Sequence, residues 1–168
     1  MIVVTDTSVV LNLCWLREER LLSAIYEQVL APEAVRFEFE RKAASDPRFS
    51  GLHFPSFILV VAPAFIPPVL AANPDLDPGE TAALALALER GIADVLIDEI
   101  YGRAIAHSLG LRVSGLLGVL IEARHIPFLG YKYSAFCHKQ QQLHLDWLKI
   151  GIAYYTILCN SLALHQLK

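Results

Sequence analysis

Ile2-Val3-Val4-Thr5 is an unbroken run of apolar and β-branched residues, and it ends on Asp6-Thr7-Ser8. Such a run, without apolar–polar alternation, predicts a strand covered on both faces, as in a parallel sheet. Short runs of similar character recur at Val29-Leu30-Ala31, Phe57-Ile58-Leu59-Val60-Val61, Asp94-Val95-Leu96-Ile97 and Leu111-Arg112-Val113. Between them the pattern turns helical. Ser8 reads as the cap of a short helix through Leu13. Arg17-Glu18-Glu19-Arg20 opens a second helical stretch, in which Leu21, Leu22, Ile25 and Tyr26 form one apolar stripe at i, i+4 spacing. Pro32 suits the first turn of a third helix and Glu33 its positive end, and that helix carries Val35, Glu38, Arg41 and Lys42.

Residues 45–56 read as a loop, and Pro63, Pro67 and Pro68 break up the chain after the third strand. The clearest helix start is Asp77-Pro78-Gly79-Glu80. Asp77 is placed as N-cap, Pro78 as the first helical residue, and Glu80 as the third, completing a capping box. An alanine- and leucine-rich helix then runs to Arg90 and stops at Gly91. Two more helices are predicted, Tyr101 to Leu109 with Gly110 after it, and Leu116 to Arg124 entered through Ser114-Gly115.

Strand and helix thus alternate about five times with short links. That order predicts a three-layer α/β/α domain with a mostly parallel, about five-stranded sheet. Ligands of such sheets lie beyond the carboxyl ends of the strands, where this reading puts Asp6 and Asp98.

The pattern changes after residue 126. Residues 1–126 are read as the α/β domain and 127–168 as a helical extension. Trp147 to Leu167 is apolar, but its uninterrupted stretch, Ile150–Cys159, is ten residues long. A span needs ~20, so a core or dimer-interface helix is expected there rather than a membrane anchor.

Composition narrows the classes. Of 168 residues, 55% are hydrophobic and 18% charged, which excludes a disordered chain. The net charge of −3 is unevenly spread. Residues 1–122 carry 9 basic and 16 acidic side chains, and residues 123–168 carry 5 and 1. Cys14, Cys137 and Cys159 form no CxxC pair, so neither zinc nor a disulfide framework is supported, and a reducing cytoplasm is the expected location. No basic region precedes the first apolar run, and Asp6 interrupts it, which argues against a signal peptide. There is no GxGxxG and no Walker A lysine, which counts against an unrelated Rossmann-like nucleotide-binding protein.

Each candidate acid has an ordinary structural role open to it. Asp6 can cap the first helix. Glu38 can pair with Arg41 or Lys42 on a solvated face, and Glu40 competes with it as the chemical residue. Glu80 can serve the capping box alone. Asp98 can cap the helix from Tyr101, and Glu99 is its rival. The alternative is that Asp6, Glu38, Glu80 and Asp98 converge. Converging carboxylates repel one another and call for a cation. Mg²⁺ or Mn²⁺ takes such oxygen ligands and supports phosphodiester cleavage without a nucleophilic side chain.

The motifs also carry a family resemblance. Val4-Thr5-Asp6-Thr7-Ser8 resembles the opening of PIN-domain nucleases. Pro32-Glu33-Ala34-Val35 followed by Glu38 resembles their second acidic segment. Leu76-Asp77-Pro78-Gly79-Glu80-Thr81-Ala82-Ala83-Leu84 is similar to the third. Leu96-Ile97-Asp98-Glu99, with Gly102-Arg103, Ala106, Gly110-Leu111-Arg112-Val113, Gly115 and Gly118-Val119-Leu120, resembles the rest. The resemblance covers roughly residues 2–126, placed on an α/β sheet, and is closest to a prokaryotic, toxin-like branch of predicted nucleic-acid-binding proteins.

The resemblance implies a PIN-like fold and Mg²⁺- or Mn²⁺-dependent RNA hydrolysis. Asp6, Glu38, Glu80 and Asp98 would be catalytic metal ligands, with Thr7 or Ser8 hydrogen-bonding near the first. It further implies the toxin of a toxin–antitoxin pair, an antitoxin protein as partner, and a homodimer. Arg103 is then a candidate phosphate contact, against an ion pair with Glu99 four residues earlier. The alternative expectation is a non-catalytic PIN-like protein that binds RNA or a partner protein through a degenerate metal site.

Overall fold

The computed structural model describes residues 1–123, and the expected helical extension at 127–168 lies outside the described residues. The first strand, β1 (Ile2–Thr5), lies at the centre of a five-stranded sheet. The others are β2 (Gln28–Ala31), β3 (Leu59–Val60), β4 (Asp94–Leu96) and β5 (Arg112–Ser114), in the spatial order β3-β2-β1-β4-β5. Every pairing is parallel, with Val3 opposite Val29, Val4 opposite Val95, Leu30 opposite Leu59 and Val95 opposite Val113. The chain steps outward from β1 to β2 and β3, then returns to the other side of β1 for β4 and β5. The order reverses between β1 and β4, so the crevice beyond their carboxyl ends is the topological switch point of the sheet.

Among the described residues seven α-helices cover the sheet: α1 (Thr7–Trp15), α2 (Arg20–Ile25), α3 (Glu33–Ser45), α4 (Pro68–Ala71), α5 (Pro78–Arg90), α6 (Ile100–Ser108) and α7 (Leu116–Glu122). The result is a three-layer α/β/α arrangement. Val3 and Val4 point to opposite faces of β1, and both are fully buried, as the unbroken apolar run requires. One face packs Val4, Leu30, Val95 and Ile97 with Leu70 of α4, residues 83–87 of α5 and Ala106 of α6. Helix α5 is buried on nearly every side, with Ala82 to Ala87 all inaccessible. Small alanines let it lie close against β1 and β4. Among the described residues no helix is long and apolar enough to cross a membrane.

Several local expectations are corrected. The cap of α1 is Asp6, not Ser8: Asp6 is extended and its carboxylate accepts the Val9 N–H, while Ser8 already lies inside the helix. Helix α2 starts at Arg20 rather than Arg17, because Arg17 sits in the left-handed region at φ 58°. Strand β3 is two residues long, since the Ile58 N–H bonds back to Pro55 and the chain is still turning there. The predicted loop holds a 3-10 turn at Pro47–Phe49, pinned by the Asp46 carboxylate on the Arg48 N–H. Helix α4 replaces the expected break: Pro68 stands at its first position, where a missing N–H costs nothing, and Leu70 enters the core.

Candidate metal centre

The sheet delivers two carboxylates to the switch point. Asp6 follows β1 directly and Asp98 stands two residues beyond β4. Asp6 uses Oδ1 to accept the Val9 N–H at 2.9 Å, fastening the start of α1. Its Oδ2 accepts the Ser8 hydroxyl at 2.8 Å and the Asp98 N–H at 3.4 Å. Asp98 does not cap α6, the role its place in the sequence suggests. Its Oδ1 accepts the N–H of Leu116, the first residue of α7, at 2.9 Å. The residue preceding α7 is Gly115, which has no side chain to cap with. The long-range carboxylate supplies the acceptor instead.

Glu80 arrives on α5 from the third layer. The capping box forms as expected: the Glu80 N–H donates to Asp77 Oδ1 at 2.7 Å, and the Asp77 N–H to Glu80 Oε2 at 3.2 Å. Asp6, Glu80 and Asp98 therefore share one design. Each is buried and accepts a backbone N–H at a helix start through one oxygen. Glu80 Oε1 and Asp98 Oδ2 are the two buried side-chain polar atoms among the described residues without a hydrogen-bond partner.

Glu38 takes another arrangement. It lies on α3 and is reached by Thr7 from the start of α1, whose hydroxyl donates to Oε2 at 2.7 Å. Its Oε1 is 2.9 Å from Lys42 Nζ and 3.9 Å from an Arg41 nitrogen. The competing Glu40 points to the exposed side and pairs with Arg36 at 2.9 Å. The two hydroxyls after β1 are thus divided, Thr7 to Glu38 and Ser8 to Asp6.

The electrostatics follow from burial and crowding. Burial, then the neighbouring Asp98 charge, pushes Asp6 up to about 8. Burial, then Asp77, Glu99 and Asp6, pushes Glu80 up to about 9. Burial also raises Asp98, against the lowering influence of the Leu116 N–H and of the Arg103 guanidinium. Arg103 donates to the Ile97 carbonyl at 3.2 Å and so stands beside Asp98.

This donor set fits a hard divalent cation in its chemistry. It consists of carboxylate oxygens, two of them orphaned in a buried space, and burial and mutual repulsion raise the pKa of Asp6 and Glu80, which a cation would offset. Asp6 feels the charge of Asp98, and Glu80 feels that of Asp6. Even so, among the described residues no three acidic, histidine or cysteine side chains are arranged to hold one ion as they stand. Glu38 differs from the others in having a cation, Lys42, directly on its carboxylate.

Three features escape a reading of the sequence. Asp77 reads there only as a cap, yet its charge acts on Glu80, and its own carboxyl is raised by burial and by Glu38. Gly102 and Gly115 lie against the acids: a Cβ at Gly102 would strike Glu80 Oε1, and one at Gly115 would strike Asp98 Oδ1. Lys42 reads as an ordinary surface partner. A glycine within the first turn of a helix following an acid is the available signal for Gly102.

Comparison with known proteins adds one positive finding. A family model described as PIN domain matches residues 2–132. No curated protein and no solved structure matches the chain.

Proposed function

Because the chain belongs to the PIN-domain family, we propose that it is a metal-dependent endoribonuclease. PIN domains are generally nucleases that use divalent metals, which supports a nucleic-acid substrate for this chain. Asp6, Glu38, Glu80 and Asp98 are the proposed catalytic ligands. A bound Mg²⁺ or Mn²⁺ supplies charge stabilisation at the phosphate and an activated water. Thr7 and Ser8 fix the rotamers of Glu38 and Asp6. Arg103 is the proposed phosphate contact, since its guanidinium already lies beside Asp98.

The observation that carries this reading is the meeting of Asp6 and Asp98 at the switch point, with an orphaned oxygen on Asp98 and another on Glu80. The finer assignments are part of the same proposal. The chain acts as the toxin of a toxin–antitoxin pair, with an antitoxin protein as partner. It works as a homodimer in a reducing cytoplasm, which suits its free, buried Cys14. RNA cleavage with Mg²⁺ or Mn²⁺, with and without EDTA, tests the activity in the wild type and in Asp6→Asn. Cleavage lost in both controls is the expected result, and cleavage persisting in both overturns the reading.

One observation favours a second reading, a non-catalytic PIN-like protein that binds RNA or a partner. Glu38 is already paired with Lys42, and among the described residues the acids do not form a three-ligand group as they stand. RNA binding that survives EDTA, without cleavage by the wild type, distinguishes it.

A further inference from the structure

The acids around the switch point fall into two halves. In one, Asp98 Oδ2 and Glu80 Oε1 are buried without partners. In the other, Glu38 has a donor on each oxygen, Lys42 Nζ at 2.9 Å on Oε1 and the Thr7 hydroxyl at 2.7 Å on Oε2. The Lys42–Glu38 pair is not an ordinary solvated i, i+4 bridge. The Glu38 side chain is only 13% exposed and Lys42 36%, whereas Arg36 and Glu40 on the same helix are 55% and 50% exposed. Lys42 also serves a second acid, because its charge offsets the repulsion that Glu38 imposes on Asp77. The three side chains Glu38, Thr7 and Asp77 converge where Gly79 lacks a Cβ. A Cβ there would lie 2.9 Å from Glu38 Oε2, 3.1 Å from Thr7 Oγ1 and 3.2 Å from Asp77 Oδ1. Glu38 thus already has a cation beside it.

We infer that Lys42 is a positioning residue, a tethered counter-cation that weakens Glu38 as a donor and sets how readily a divalent ion loads. This role rests on the proposed metal site. Two physical effects act in the same direction. Lys42 Nζ sits on Glu38 Oε1 at 2.9 Å, so its positive charge draws on the carboxylate that an ion would meet and weakens Glu38 as a donor. An ammonium close to the acids also repels an incoming dication directly. Arg41 does not substitute for Lys42. Its nitrogen is 3.9 Å from Glu38 Oε1 and its side chain is 74% exposed, where screening leaves little interaction.

The test is Mn²⁺ binding to the full chain, read by titration calorimetry and by the Mn²⁺-induced rise in melting temperature, with no activity assay needed. Lys42→Gln is expected to bind Mn²⁺ about 3- to 10-fold more tightly than wild type and to show a larger thermal shift. Lys42→Met, which keeps an unbranched apolar stem, is expected to do the same and guards against a folding defect specific to glutamine. Lys42→Arg restores the charge and the wild-type affinity. Arg36→Gln removes the same charge from the same helix, away from Glu38, and leaves affinity unchanged. Asp6→Asn, measured alongside, separates the two possible failures. Equal or weaker Mn²⁺ binding by Lys42→Gln and Lys42→Met, with binding still lost in Asp6→Asn, overturns the role of Lys42 and leaves the site standing. No Mn²⁺ binding in any variant, or binding indifferent to Asp6→Asn, overturns the site and the role of Lys42 with it.

Discussion

The Asp98 N–H donates to Asp6 Oδ2 at 3.4 Å, joining the ends of β1 and β4 across 92 residues of chain. The contact is long for a hydrogen bond, but it fixes which carboxylates share the switch point. Asp6→Asn keeps an oxygen for the Val9 N–H and removes the carboxyl that would ionise to bind the ion. RNA cleavage is expected to fall about 100-fold or more, while stability at neutral pH changes by less than about 1 kcal/mol. Asp6→Ala loses the cap as well and is expected to cost a further ~1–2 kcal/mol. Urea denaturation of both variants beside the cleavage assay checks this. Cleavage by Asp6→Asn at the wild-type rate would remove Asp6 from the chemistry.

A second prediction concerns pH in the ion-free chain. Asp6 rises from 3.8 to about 8 on folding and Glu80 from 4.5 to about 9. Between those limits the folded chain binds more protons than the unfolded one. Stability is therefore fully present below the unfolded values and falls as pH climbs through about 8 and 9. Urea midpoints measured in EDTA from about pH 5 to about pH 9 should decline steadily. Glu80→Gln should flatten that decline, and so should saturating Mn²⁺, which takes over the neutralising role of the protons. A midpoint that rises with pH would show these acids to be ionised in the folded apo chain.

The legible parts of this molecule are the local ones. The unbroken run Ile2–Thr5 announces a strand buried on both faces, and the capping box at Asp77 and Glu80 is visible because its partners lie three residues apart. Strand–helix alternation is enough to bring Asp6 and Asp98 to the same end of the sheet. The use of individual oxygens is not legible. Asp98 fastens α7, 18 residues on, instead of the adjacent α6, because Gly115 before α7 has no capping side chain. Thr7 reaches Glu38 across 31 residues. Pro67-Pro68 reads as a break, whereas proline at a first helical position starts α4. Lys42 and Glu38 have the same spacing as Arg36 and Glu40, and only burial distinguishes the two pairs.

The Thr7–Glu38 contact makes a third prediction. Valine matches threonine in shape and lacks its hydroxyl, so Thr7→Val removes the donor on Glu38 Oε2 and little else. The cost is expected to be ~1 kcal/mol. In a double-mutant cycle with Glu38→Gln, the coupling energy should be about 0.5–1.5 kcal/mol. Ser8→Ala provides the contrast, because Ser8 serves Asp6 and should show no coupling to Glu38 beyond about 0.3 kcal/mol. A cycle with Thr7→Val that closes to zero would mean that the hydroxyl does not hold Glu38 in solution.

The last prediction uses the space that glycine leaves. Gly102 lies in the first turn of α6 and is buried, and its missing side chain accommodates Glu80. A Cβ placed there would run into Glu80 Oε1 and come to 2.9 Å from Glu80 Cδ and 3.0 Å from Ile97 Cγ2. In an exposed helix, Gly→Ala stabilises by up to about 1 kcal/mol. Here the added methyl has to displace a carboxylate that is anchored at its other oxygen by the Asp77 N–H. Gly102→Ala is therefore expected to destabilise the chain by about 1–3 kcal/mol, as overpacking does. It should also weaken Mn²⁺ binding by moving Glu80 Oε1. Adding Glu80→Ala to Gly102→Ala removes the obstructing carboxylate. Stability should then recover by part of that loss, while Mn²⁺ binding should not. Recovery of stability without recovery of binding separates a steric role for Gly102 from a ligand role for Glu80. If Gly102→Ala alone is as stable as wild type, Glu80 has another rotamer available and the close approach seen here is not obligatory.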